Sequence, residues 1–202
     1  TGCESPIRPA PPLGAHLYSE TVPGKGPDLL ARLCSAKGQE RVTRYFCAQP
    51  GPAPTSLVEL ERGLGLDPKT ASFVMTANST ALTSREVNPI NPRILLFDGV
   101  ASEQEPHPHF LALGFTRGEQ VVELATGDEA TKVLRFFLVE FRQACNETQA
   151  GCGLADLTTP AIESNWTALR VLQESDLSNT ALDCLRCHQP QGGPDRRMLR
   201  MQ

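Results

Sequence analysis

Between Ala71 and Phe141 the hydrophobic pattern takes on the character of short strands, some of them continuous apolar runs and others alternating. Ser72-Phe-Val-Met-Thr76 is short and β-prone, and Arg93-Ile-Leu-Leu-Phe97 is a compact apolar run closed by Asp98-Gly99. From His109 to Phe115 the residues alternate, with Phe110, Ala112 and Gly114 on one side and Leu111, Leu113 and Phe115 on the other. Arg117-Gly118-Glu119 is a turn signal, and Gln120 to Leu124 follows it, which predicts a hairpin. Lys132 to Phe141 fits strand or helix, but its Val133, Phe137, Val139 and Phe141 are β-branched or aromatic and favour a strand. Together these runs predict an antiparallel sheet of about four or five strands.

A longer period takes over on either side of that region. Asp28 to Cys34 predicts a short helix with Leu29, Leu30, Leu33 and Cys34 on its apolar side, ended by Gly38. Ser56 is placed to cap a helix from Leu57 to about Gly63, with Glu59 as the capping-box partner. Thr159 and Pro160 are placed to start another, in which Ile162, Trp166, Leu169 and Leu172 recur at helical spacing and Trp166 enters the core. A last helix is expected from Thr180 to His188, stopped by Gln189-Pro190. The class is therefore α+β, a small antiparallel sheet with flanking helices. Residues 1–26 read as a proline-rich tether, 27–157 as the body and 158–202 as a helical segment with its own chemistry.

Length and charge narrow the partners. At 202 residues the chain is long enough to bury a core, and it has no run of 18 apolar residues that would span a bilayer. A net charge of −4 without a basic cluster argues against nucleic acid, which requires a concentrated cationic face. G-x-S-x-G, P-loop, H-E-x-x-H and G-x-G-x-x-G patterns are all missing, so nucleophilic and nucleotide-dependent catalysis have no motif to stand on.

The chemistry is concentrated in Cys184-Leu-Arg-Cys187-His188, a C-x-x-C-H pattern used to attach c-type haem. On one helical turn the two thiols lie on one side, in reach of two vinyl groups, and His188 follows as the proximal iron ligand. A zinc site would need a second ligand pair, for which only His107-Pro108-His109 is clustered, and a thioredoxin-type dithiol would follow a strand in a βαβ unit. For the second axial position the candidates are Met198 and Met201 downstream, or His109, His107, Met75 and His16 from the body; an open position is the other option.

Cys184-Leu-Arg-Cys-His-Gln-Pro-Gln-Gly-Gly193 resembles the haem-attachment segment of bacterial c-type cytochromes, and Asn78 to Phe97 is similar to a stretch upstream of the haem site in large bacterial extracytoplasmic cytochromes c. That resemblance implies one covalently bound haem c and electron transfer with redox protein partners, other cytochromes in a membrane-associated complex among them. It departs from a small cytochrome c domain in that fourteen residues follow His188, so the haem pocket is expected to be built from what precedes the motif, or the chain to be part of a longer one. Thr1-Gly2-Cys3-Glu4 resembles the end of a bacterial lipobox, which implies lipidation at Cys3 as the only membrane attachment.

Of the seven cysteines, Cys34, Cys47, Cys145 and Cys152 are then left for two disulfides. Four cysteines allow three connectivities; Cys34 with Cys47 and Cys145 with Cys152 are favoured because each closes a short polar loop. Disulfides and haem c both belong to an oxidising compartment, hence a periplasmic or cell-surface location. The expected activity is that of an electron carrier rather than a catalyst. Two alternatives stand beside it, a haem enzyme or gas-responsive protein with an open distal site, and a non-haem module that is disulfide-stapled or binds a metal.

Overall fold

The computed structural model describes residues 28–77, 87–99, 109–116, 121–143, 165–178 and 183–184. Three short helices come first: α1 (Asp28–Ser35), α2 (Arg41–Phe46) and α3 (Leu57–Gly63). Expectation and structure agree on α1 and α3. Ser56 caps α3 by accepting from the Glu59 N–H at 3.2 Å. The Glu59 carboxylate reaches one residue further back than a capping box would, accepting from the Thr55 N–H at 2.8 Å and the Thr55 hydroxyl at 2.9 Å. Helix α2 lies in the stretch between Cys34 and Cys47 that was expected to be a polar loop, and it buries Val42, Thr43 and Phe46 on one side. The Cys34–Cys47 disulfide is formed, with the Cα atoms 5.4 Å apart, and ties the end of α1 to the end of α2.

Six strands follow: β1 (Ser72–Thr76), β2 (Arg93–Asp98), β3 (Leu111–Thr116), β4 (Val121–Gly127), β5 (Leu134–Gln143) and β6 (Trp166–Gln173). They form one sheet in sequence order, every neighbouring pair antiparallel. The first five lie where strands were expected. The sixth is a correction, because the residues around Trp166, Leu169 and Leu172 were expected to be helical. The register explains the misreading: Arg142 pairs with Ala168 while Gln143 pairs with Trp166, so β6 spends one extra residue there, as in a β-bulge. That extra residue puts Trp166 and Leu169, three apart, in the same core cluster, and a strand then mimics helical spacing.

The register sorts the sheet into two faces. On the first, Leu113, Leu124 and Phe137 stand in line across β3, β4 and β5, with Phe115, Val122, Val139 and Val171 beside them. The helices cover this face with Leu33, Val42, Phe46, Leu57 and Leu60, joined by Leu64 and Leu66, to make the main core. Each such side chain contributes about 1.5–3 kcal/mol on leaving water, which makes this layer the chief drive to fold. Trp166 stacks on Phe141 in that layer with ring centroids 3.9 Å apart, the core role expected of it. The first face is left bare at β1, where Phe73 and Met75 are 62% and 61% exposed. On the second face Ala112, Ala125 and Phe136 stand in line, and two smaller apolar clusters form.

Candidate functional site

Strand register fixes the floor of the site. On the second face Gly114 of β3 is opposite Glu123 of β4, which is opposite Leu138 of β5, which is opposite Leu172 of β6. Ala112, Ala125 and Phe136 form the next row, and Val121 and Glu140 lie on the other side. One apolar cluster joins Val121, Leu138, Leu172 and Leu177 with Leu29 of α1; the other joins Phe110, Ala112, Ala125, Leu134 and Phe136 with Phe97. Cys184 packs against both clusters, so it bridges them over the rows that contain Glu123. It is partly buried and has helical backbone geometry.

A charged pair crosses the same floor. Arg93 of β2 bonds to the carboxylate of Glu123, two strands away, with β3 between them. It can do so because position 114 is glycine: a Cβ there would stand 2.6 Å from the Arg93 Nη2 and 3.1 Å from the Leu95 Cδ2. The Arg93 side chain is 14% exposed and that of Glu123 29%, so the pair is shielded without being sealed from solvent. Near the start of β5, Arg135 Nη1 lies 3.6 Å from Glu174 Oε1, while Glu174 Oε2 accepts from the Phe136 N–H at 3.0 Å. Burial, reinforced by the negative charges of Glu123, Glu174 and Asp183, pushes the Cys184 thiol up to about 12. At neutral pH this sulfur is therefore a protonated, poorly nucleophilic thiol set in an apolar wall.

No family model, curated protein or solved structure matches the chain. The reading of the site therefore rests on its residues. Of those singled out from the sequence, Cys184 is placed as above, and Cys34 and Cys47 are joined away from it. Met75 lies on the first face, in register with Ile94, which is in register with Phe115, so the sheet separates it from Cys184. His109 is exposed just before β3, and its carbonyl accepts from Arg41 Nη1 of α2 at 3.2 Å. Cys3, His16, His107, Cys145, Cys152, Cys187, His188, Met198 and Met201 lie outside the described residues. Among the described residues no group of three or more His, Cys, Asp or Glu is arranged to hold a metal ion, and no helix is long and apolar enough to cross a membrane.

Arg93, Glu123 and Glu174 were not singled out from sequence, since pairing across a strand depends on register. One signal was available, Gly114 inside an otherwise apolar alternating strand, which marks a close approach of some other group.

Proposed function

We propose that this chain is an extracytoplasmic c-type cytochrome that carries one haem on Cys184 and Cys187, with His188 as the proximal ligand, and passes electrons between redox protein partners. The observation that carries the reading is the C-x-x-C-H sequence whose first cysteine is seated on the apolar second face of the sheet. The chemistry around Cys184 suits such a group: it packs against two buried apolar clusters that include Leu138 and Phe136, so its surroundings are water-poor. Each thioether would form by net addition of S–H across a vinyl group, sulfur to one carbon and hydrogen to the other, which consumes no oxidant or reductant.

When bound, a haem c supplies a one-electron iron couple. The protein's part is to hold it, exclude water from one side and fix the charges nearby. His188 would hold the iron on one side, and Met198, Met201 or His109 are the candidates for the other. The sequence Gly2-Cys3 supports lipid attachment at the N-terminal side, which would keep the protein at a periplasmic or outer surface beside other cytochromes.

The test is to express the chain with a cytochrome c maturation system and measure its intact mass and visible spectrum. One added haem mass that survives acid-acetone extraction, with a Soret band, is expected, and both should vanish in the Cys184→Ala, Cys187→Ala double variant. A wild-type protein with no Soret band would overturn the reading. Carbon monoxide added to the reduced protein then separates a carrier from a haem enzyme, because only an open or weakly held site binds it readily.

A further inference from the structure

We propose that the Arg93–Glu123 ion pair, laid across Gly114 on the sheet face that seats Cys184, sets the reduction potential of the cofactor attached at that cysteine. The inference rests on the haem reading above and assigns a task to residues that reading leaves unused. Three observations support it. Glu123 sits among Val121, Ala125 and Leu138, which belong to the two clusters that Cys184 bridges, so its carboxylate lies at the attachment point. Arg93 of β2 reaches it across β3, over a residue with no side chain. The pair is mostly shielded, where a unit charge acts through a lower dielectric than water and is weakly screened.

The sign follows from Coulomb's law. Oxidising the iron adds a positive charge to the cofactor, so a bare carboxylate beside it favours the oxidised form and a bare guanidinium the reduced form. While paired, the two largely cancel. Losing Arg93 leaves Glu123 uncompensated and should lower the potential. Losing Glu123 should raise it.

The experiment is a redox titration of the haem-loaded protein, followed by its visible bands, for the wild type, Arg93→Gln, Glu123→Gln and the double variant. Arg93→Gln is expected to increase the oxidised-to-reduced ratio at the wild-type midpoint by about tenfold, a drop of about 59 mV for one electron. Glu123→Gln should shift it in the opposite sense, and the double variant should return close to the wild type. Arg62→Gln serves as the control, since it removes the same charge from an exposed position on α3, which covers the other face of the sheet, and should leave the midpoint in place. Arg93→Lys keeps the charge and covers the case in which Arg93→Gln does not fold; its midpoint should stay near the wild type while Glu123→Gln still rises. If haem is attached and Glu123→Gln leaves the midpoint unmoved or lowers it, this inference falls while the haem reading stands. If no haem is attached, both fall.

Discussion

Glu140 of β5 and Arg170 of β6 face each other directly across the sheet, and the wholly buried Glu140 carboxylate accepts from the Arg170 guanidinium. Its Oε1 has no hydrogen-bond partner among the described residues. A buried carboxylate with one oxygen satisfied depends on its cation, because the charge has been taken from water and, among the described residues, Arg170 offsets the loss. Arg170→Met is therefore expected to cost about 3–5 kcal/mol in a urea titration. Replacing both, as Glu140→Leu with Arg170→Met, should restore the wild-type value or exceed it by about 1–4 kcal/mol.

Stability should also depend on pH through this residue. Burial raises the Glu140 carboxyl above its ordinary range, with Arg170 pulling it part of the way back, and burial raises Glu40 likewise. A raised acid is favoured protonated in the folded state, so its stabilising contribution is complete below the ordinary carboxylate range. It is lost as the pH climbs through the raised value. The urea midpoint should accordingly fall as the pH is raised above the ordinary carboxylate range, and the fall should shrink in Glu140→Gln and in Glu40→Gln. Glu59 has the opposite sign: hydrogen bonds from Thr55 hold it below the ordinary range, so its contribution is lost only at more acidic pH.

The Cys34–Cys47 bridge spans thirteen positions and joins two helices of the covering layer. Replacing both cysteines with serine should lower stability by about 3 kcal/mol, through the freedom regained by the unfolded chain. Urea titrations with and without a reducing agent check this, since the reductant should destabilise the wild type alone.

Cys184 should resist alkylation in folded protein that carries no haem. With its thiol near 12 rather than 9.0, the thiolate fraction at about pH 8 is smaller by about a thousandfold, and the reaction with iodoacetamide should slow in proportion. Peptide mass mapping after a timed pulse reads the rate. In urea the same cysteine should label at an ordinary rate, whereas in haem-loaded protein it should not label under either condition.

How far the sequence could be read depended on what kind of pattern each residue makes. β1 to β5 were legible because each is a short apolar or alternating run, most of them set off by a turn signal. The strand β6 was not, because its extra residue places Trp166 and Leu169 in one cluster at a spacing of three. Helix α2 was missed because Arg41-Val-Thr-Arg-Tyr-Phe46 is too short and too β-branched to signal a helix, and its packing in the core decides its form. The Cys34–Cys47 bridge was legible from spacing. The charges around Cys184 were not, since Arg93, Glu123 and Glu174 come together only through register and the turn after β6.

The placement of the cysteines has a consequence for oxidative folding. Cys47 packs with the helix layer and Cys184 against the clusters of the opposite face, so a six-stranded sheet stands between the bridge and the thiol. Thiol–disulfide exchange requires a sulfur to attack in line, and the formed sheet blocks that path. Once the strands have paired, scrambling between these cysteines would require the molecule to open, so the bridge and the Cys184 thiol are kept apart by the fold itself.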